Sequence, residues 1–207
     1  MKPRAGVLAL QGDFALHLGA CARAGVRARE VRSPADLAGL THLVLPGGES
    51  TTLHRLMRLF GLWDALAERV RAGDLLVLGT CAGAILLGRE APGEPADRPP
   101  RLGLLDAQVR RNAYGRQLDS RTVELDLAGL SARAPCTFVR APRIEDVGPG
   151  VRVLAAAALD GGPATPILVQ APGALAATFH PELLAEPLVH RLFLAQAPAA
   201  LRRARAG

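Results

Sequence analysis

The five residues Gly79-Thr80-Cys81-Ala82-Gly83 restrict this chain more than any other stretch. An apolar, strand-like run (residues 75–78) leads into them, and a helix-like run (82–87) leads out. A strand that becomes a helix within so few residues is a joint of layered α/β folds. Only small residues fit on either side of the central side chain, and glycine supplies the backbone freedom. The pattern is G-x-C-x-G, the thiol version of the G-x-S-x-G nucleophile elbow. A cysteine placed there projects into a cleft at the positive end of a helix, where thiolates are favoured. The ordinary role of a cysteine is that of a small buried hydrophobe. The paired glycines of a strand-to-helix turn point to a nucleophile instead.

The rest of the first ninety residues alternates in the same way. Residues 5–11 read as a buried strand bounded by glycines, and Asp13 as the cap of a helix over 14–24 that stops at Gly25. Residues 26–31 alternate with arginines and read as a more exposed strand. Residues 41–45 are a third strand, closed by Pro46-Gly47-Gly48. Helices follow over 51–60, with Ser50 or Thr51 as cap, and over 62–72, ended by Gly73. This order predicts a flavodoxin-like three-layer sandwich, with a mostly parallel central sheet and helices on both faces. Ligands bind such sheets at the carboxyl ends of the strands, where Gln11, Gly47-Gly48 and Cys81 fall. Residues 91–100 are rich in Pro, Gly and charge and read as a surface loop without a core pattern. The second half is strand-rich: 104–110, 122–127, 137–139, 151–156, 167–170 and 174–179, with a helix-like run over 187–197. The expectation is one domain over 1–207, with 200–207 a frayed basic tail carrying Arg202, Arg203 and Arg205.

Composition narrows the function classes. The 207 residues are 49% hydrophobic and 21% charged, as in globular proteins, and no apolar run is long enough to span a bilayer. The N-terminus enters a strand pattern without the apolar region of a secretory signal, so a cytoplasmic location is expected. Cys21, Cys81 and Cys136 are too few and too far apart for a disulfide framework or a Cys-x-x-Cys zinc site. The net charge of +6 comes from scattered arginines, and only 3% of residues are aromatic, which argues against nucleic acid as a partner. There is no P-loop, no G-x-G-x-x-G after a strand and no metal cluster, so neither metal nor cofactor is expected.

Three further segments carry chemistry. His180-Pro181-Glu182 follows the strand over 174–179, and its proline holds His180 extended. A carboxylate two residues from an imidazole can fix its tautomer and stabilise its charged form. Alone, the tripeptide reads equally as a surface turn; beside the elbow it completes a Cys-His-Glu triad. Pro46-Gly47-Gly48-Glu49-Ser50 can aim backbone N–H groups at a developing oxyanion, or can be an ordinary turn capped by Ser50. Arg111, in a donor-rich run from Arg110 to Gln117, and Arg140, at a strand end, each suit bidentate binding of a carboxylate or a solvated surface position. Cys21 and Cys136 read as filler, and His17, His42, His54 and His190 show no metal-ligand spacing and take no role.

Together these residues resemble the glutaminase subunits of two-subunit pyridoxal 5'-phosphate synthases, within the class I (triad) glutamine amidotransferases. The matching runs are Gly6-Val7-Leu8-Ala9-Leu10-Gln11-Gly12, Leu45-Pro46-Gly47-Gly48-Glu49-Ser50-Thr51-Thr52, Gly79-Thr80-Cys81-Ala82-Gly83, Arg111-Asn112-Ala113-Tyr114-Gly115-Arg116-Gln117, Val139-Arg140-Ala141-Pro142 and Phe179-His180-Pro181-Glu182-Leu183. The elbow and His-x-Glu mark the class; the second and fourth runs are specific to the subfamily. The resemblance implies that Cys81 attacks the side-chain amide of glutamine, that His180 shuttles the proton and that Glu182 orients His180. It implies a glutamine site lined by Gly48, Glu49, Ser50, Arg111, Val139 and Arg140. It places the oxyanion hole at Gly47, Gly48 and the Ala82 N–H, with Gln11 near that hole and the subunit interface. It further implies a partner: a barrel-type synthase subunit in a large hetero-oligomer, which receives the ammonia. Ala84, where the family often has a larger apolar residue, and the long Pro-rich loop over 91–100 depart from the pattern. A glutaminase of another amidotransferase, such as one in histidine synthesis, a non-catalytic binding module and a cysteine protease are the alternatives. The Arg111–Gln117 run argues against the first, the intact triad against the second, and a close-fitting amino-acid site against the third.

Overall fold

Apolar residues that alternate along each central strand set the architecture. The computed structural model describes residues 2–94, 98–111, 113 and 120–199. Asn112, Tyr114, Gly115, Arg116 and Gln117, positions 95–97 and the basic tail lie outside the described residues. In chain order the elements are β1 (Ala5–Leu8), α1 (Phe14–Arg23), β2 (Arg29–Val31), β3 (His42–Leu45), α2 (Ser50–Leu59), α3 (Leu62–Arg71), β4 (Leu76–Thr80) and α4 (Ala82–Leu87). Then come β5 (Gln108–Arg110), β6 (Arg121–Leu127), β7 (Ala132–Phe138), β8 (Arg143–Glu145), β9 (Arg152–Ala157), β10 (Thr165–Ala171), β11 (Ala174–Ala177) and α5 (Leu188–Leu194).

Seven strands form the central sheet in the order β2-β1-β3-β4-β11-β10-β9. The pairs from β2 to β11 are parallel, and β10 and β9 add an antiparallel edge. Two ribbons, β5-β8 and β6-β7, stand outside it. Leu8, Leu43, Leu45 and Val77 point to one face, where Leu53, Met57, Leu66 and Leu86 of α2, α3 and α4 cover them. Val7, Val44, Leu76 and Leu78 point to the other, under Cys21 of α1, Phe193 of α5 and Phe138 of the β6-β7 ribbon. This is the three-layer sandwich expected. Each fully buried leucine contributes about 1.5–3 kcal/mol by leaving water. The chain leaves β1 toward β2 on one side and toward β3 on the other, which opens a crevice beyond the carboxyl ends of β1 and β3.

Several local expectations change. The second strand begins only at Arg29, because Val26 still closes α1: its N–H donates to Cys21 O at 2.9 Å and the Gly25 N–H to Ala22 O at 2.9 Å. Asp13 makes no side-chain cap to α1. Neither Ser50 nor Thr51 caps α2; the Glu49 carboxylate does. β7 is seven residues long rather than three, and β8 and a 3-10 turn at Pro34–Leu37 are additional. The loop over 91–100 is tied down at its ends: Ala91 is buried, and the buried Arg101 guanidinium pairs with Glu94 at 2.7 Å.

Candidate active site

Six strand ends, those of β1, β3, β4, β5, β7 and β11, deliver the residues singled out by the sequence. β4 runs into Cys81, which has φ 46° and ψ −103° and precedes α4. That backbone is strained for a residue with a Cβ, and such strain concentrates at functional sites. The elbow glycines are there for space. A Cβ on Gly79 would lie 2.7 Å from the Gly83 carbonyl, and one on Gly83 would lie 2.1 Å from Leu45 O. The Cys81 N–H donates to Ala177 O at 2.9 Å, so the elbow is anchored to β11, the strand that delivers His180.

His180 Nδ1 lies 2.7 Å from Glu182 Oε1, and both residues are buried. The His180 N–H donates to Thr137 O at 2.9 Å, and Pro181 opens a single 3-10 turn that brings Glu182 back beneath the ring. Burial alone would strip the imidazole of its proton. Contacts with the Cys81 sulfur and the Glu182 carboxylate outweigh it and push the His180 pKa up to about 10. The Cys81 sulfur also lies 3.8 Å from Val139 O. Burial pushes the Cys21 and Cys136 thiols up to about 12, so neither is a nucleophile at neutral pH.

A cavity of about 320 Å³ opens over this pair, at the small end of the roughly 300–1,000 Å³ typical of small-molecule sites. Its lining includes Gln11, Gly48, Glu49, Ser50, Cys81, Arg111, Val139, Arg140 and His180. Glu182, Gly47 and Ala82 stand just behind the wall: Glu182 and Ala82 are buried, and a Cβ on Gly47 would lie 2.8 Å from His180 Cε1. Gly48 has φ +139°, and a Cβ there would meet the Gln11 amide at 2.5 Å. Gln11 Oε1 in turn accepts the Glu49 N–H at 3.0 Å, which fixes the turn after β3.

Two charged residues are engaged differently from the sequence reading. Arg111 is bridged to Glu49 Oε1 at 2.9 Å and Thr51 Oγ1 at 3.2 Å rather than free for an incoming carboxylate. Burial opposes the Glu49 charge, but the Thr51 and Thr52 N–H groups and hydroxyls outweigh it and hold the carboxyl at about 2. Arg140 has φ 43° and an exposed side chain, and its N–H donates to Ser120 Oγ at 3.3 Å.

Sequence reasoning missed Asp13 and Ile85, which also line the cavity, and His17 and His190, which sit behind it. Asp13, His180 and Glu182 bring ligand atoms within 4.8 Å of one another, but His180 Nδ1 and Glu182 Oε1 are already engaged with each other. The i, i+4 spacing from Asp13 to His17 puts both on one helical face, the one signal the sequence held.

A strained cysteine at a strand end, beside a carboxylate-held histidine, is the equipment of acyl transfer through a thioester. Known proteins narrow this further. Residues 7–198 match the model of the SNO glutamine amidotransferase family. The chain is 52% identical over 191 residues to a pyridoxal 5'-phosphate synthase subunit PdxT of Deinococcus radiodurans, covering 91% of this chain and 94% of that one. It is 48% identical over 194 residues to the subunit of the same name from Thermus thermophilus, covering 94% and 97%. A crystal structure of a glutamine amidotransferase superposes with a TM-score of 0.82 at 47% identity, over 92% of this chain and 96% of that one. A GMP synthase subunit from Thermoplasma acidophilum, 14% identical with a TM-score of 0.65, shares the fold. The chain belongs to the SNO glutamine amidotransferase family.

Proposed function

We propose that this chain hydrolyses L-glutamine to L-glutamate and ammonia, and passes the ammonia to a synthase subunit that makes pyridoxal 5'-phosphate. The observation that carries the reading is the convergence of Cys81 and the His180–Glu182 pair on one small cavity. Cys81 gives its thiol proton to His180 Nε2, and the sulfur attacks the side-chain amide carbon of glutamine. Electrons move onto the amide oxygen, toward the N–H groups of the Gly47-Gly48 turn and of Ala82, which begins α4 and has no intrahelical acceptor. His180 holds a proton at Nε2 and gives it to the departing nitrogen, so ammonia leaves and a glutamyl thioester remains. Water then attacks, His180 takes its proton, and glutamate leaves with the thiol restored. Glu182 keeps the proton on Nδ1 and balances the imidazolium throughout. The reaction balances with glutamine and water alone.

The cavity's charges suit an amino acid. Glu49, whose oxygens already accept from Thr51, Thr52 and Arg111, sets a negative charge beside the α-ammonium, and the exposed Arg140 guanidinium suits the α-carboxylate. Arg111 braces Glu49, and Gly48, Ser50 and Val139 complete the wall. Relatives named as synthase subunits support a synthase partner, which we read as a barrel-type subunit in a large hetero-oligomer, with Gln11 near the contact. The whole chain acts as one domain, and its three unpaired cysteines suit the reducing cytoplasm. No helix among the described residues is long and apolar enough to cross a membrane.

The test is glutamate and ammonia formation from L-glutamine, with and without a pyridoxal 5'-phosphate synthase partner. Activity that rises with the partner and vanishes in Cys81→Ala is expected. Undiminished ammonia release by Cys81→Ala overturns the mechanism.

A further inference from the structure

Behind the triad runs a buried polar chain that the mechanism above does not use. His17 on α1 and His190 on α5 are both fully buried, and His17 Nδ1 lies 2.9 Å from His190 Nε2. On its other side, His17 Nε2 lies 3.2 Å from Thr80 Oγ1 and 3.3 Å from Glu182 Oε2. Thr80 is the residue before the nucleophile, and Glu182 Oε1 holds the catalytic imidazole. One side chain from α1 therefore touches both arms of the triad.

The contacts select one proton arrangement. If His17 carried its proton on Nδ1, its bare Nε2 lone pair would face a carboxylate oxygen 3.3 Å away. His190 would then have to accept at Nε2 and carry its own proton on Nδ1, which has no partner among the described residues. A buried orphan donor costs about 1–3 kcal/mol. With the proton on Nε2 of both rings, His190 donates to His17, and His17 presents its N–H to Thr80 and Glu182. The one atom left over is then a lone pair on His190 Nδ1. Glu182 Oε2 has no in-line hydrogen bond among the described residues, and this N–H stands 3.3 Å from it. Arg23, also on α1, donates to the carbonyls of Glu182 at 3.3 Å and Leu184 at 3.1 Å and fixes the backbone of the same turn. Burial, then repulsion by His190 and His180, holds the His17 pKa well below the usual imidazole value; burial and Arg23 hold the His190 pKa at about 4.

We propose that His17 is a positioning residue for the triad: held by His190 with its proton on Nε2, it fixes the Glu182 carboxylate, and through it the His180 ring. The proposal rests on the glutaminase reading. It is tested first without turnover, on the full-length chain labelled with 15N-histidine at pH 7. The ring nitrogen shifts are expected to show His17 and His190 both neutral and both protonated on Nε2. A His17 protonated on Nδ1, or on both nitrogens, overturns the proposal. Kinetics with the synthase partner supply the second test. His17→Leu is expected to lower kcat about 10–100-fold, the cost of a slightly misplaced catalytic group, with KM for glutamine within about twofold. His17→Gln, whose amide N–H reaches the Nε2 position, is expected to recover most of the loss. Wild-type kcat in His17→Leu, or a folded His17→Gln as slow as the leucine variant, overturns the role. Activity lost in Cys81→Ala but intact in His17→Leu ends this proposal alone; activity intact in Cys81→Ala ends the glutaminase reading.

Discussion

Replacing Gly47 by alanine adds one methyl group where the triad has no room for it. The new carbon would stand 2.8 Å from His180 Cε1, and 3.4 Å from both His180 Nδ1 and the Cys81 Cβ. Carbon atoms rest about 3.5–4.0 Å apart, so the imidazole must retreat by about 0.7–1.2 Å. Nδ1 is held at 2.7 Å by Glu182, so the retreat also stretches the bond that orients the ring. Misplacing a reacting group by that much costs about 100-fold in rate, equivalent to about 2.7 kcal/mol of transition-state stabilisation. The backbone gives no reason for the fold to fail, because Gly47 is not among the positive-φ glycines. Alanine there also restricts the unfolded chain, worth about 0.4–1 kcal/mol in its favour. The expected variant is folded, melts close to the wild type and has a kcat about 100-fold lower in the presence of the partner. Gly150→Ala is the control: nothing lies within 4 Å of its added carbon and its rate should not change. A Gly47→Ala kcat within about threefold of wild type would refute the claim that this glycine keeps space for His180.

Glu49→Ala removes the cap of α2, which accepts from Thr51 N at 3.0 Å and Thr52 N at 2.7 Å. Urea denaturation should show a loss of about 1 kcal/mol, and the released Arg111 should raise KM for glutamine; unchanged stability would contradict the capping role. Acid should weaken the fold before the carboxylates titrate. His42 and His190 have folded pKa values of about 4, mainly through burial, and the His17 pKa is lowered for the same reason. The unfolded chain therefore binds protons first, and stability falls as pH drops from 6.5 toward 4, by on the order of 2 kcal/mol per histidine at pH 5. His180 has the opposite sign: its raised pKa stabilises fully below 6.5 and is lost as pH rises through about 10, outside that window. Denaturant midpoints at pH 6.5 and 5 measure this, and equal stability at the two values would contradict it.

β1, β3 and β4 were legible because each is a short, fully buried and mostly apolar run with a glycine-containing turn just beyond it, whereas β2, with only Val31 buried, carried no such signal. α4 lies over the expected residues, and β1, β3 and β4 lie within two or three residues of theirs. The antiparallel half was harder. β7 contains Pro135 and alternates buried with exposed residues in a two-stranded ribbon, so it carries no continuous apolar signal. β10 accommodates Pro166 next to a register shift, where a ladder bond is already missing. The triad was legible because its parts are local: a five-residue turn, and a histidine two residues from its carboxylate. The pair behind it was not. His17 and His190 lie 173 positions apart, each on an otherwise ordinary helical face, and only folding brings them together. Glu49 was read as a wall residue because a carboxylate bonding forward to two N–H groups depends on its backbone angles rather than on its neighbours in sequence.

The most direct test is to quench turnover of L-glutamine with acid and map acylation of the chain by mass spectrometry, with the synthase partner present. The mechanism predicts a glutamyl group on the peptide containing Cys81, formed as fast as ammonia is released and absent from Cys81→Ala. Ammonia release with no acylated Cys81, or with the glutamyl group on Cys21 or Cys136, would contradict it.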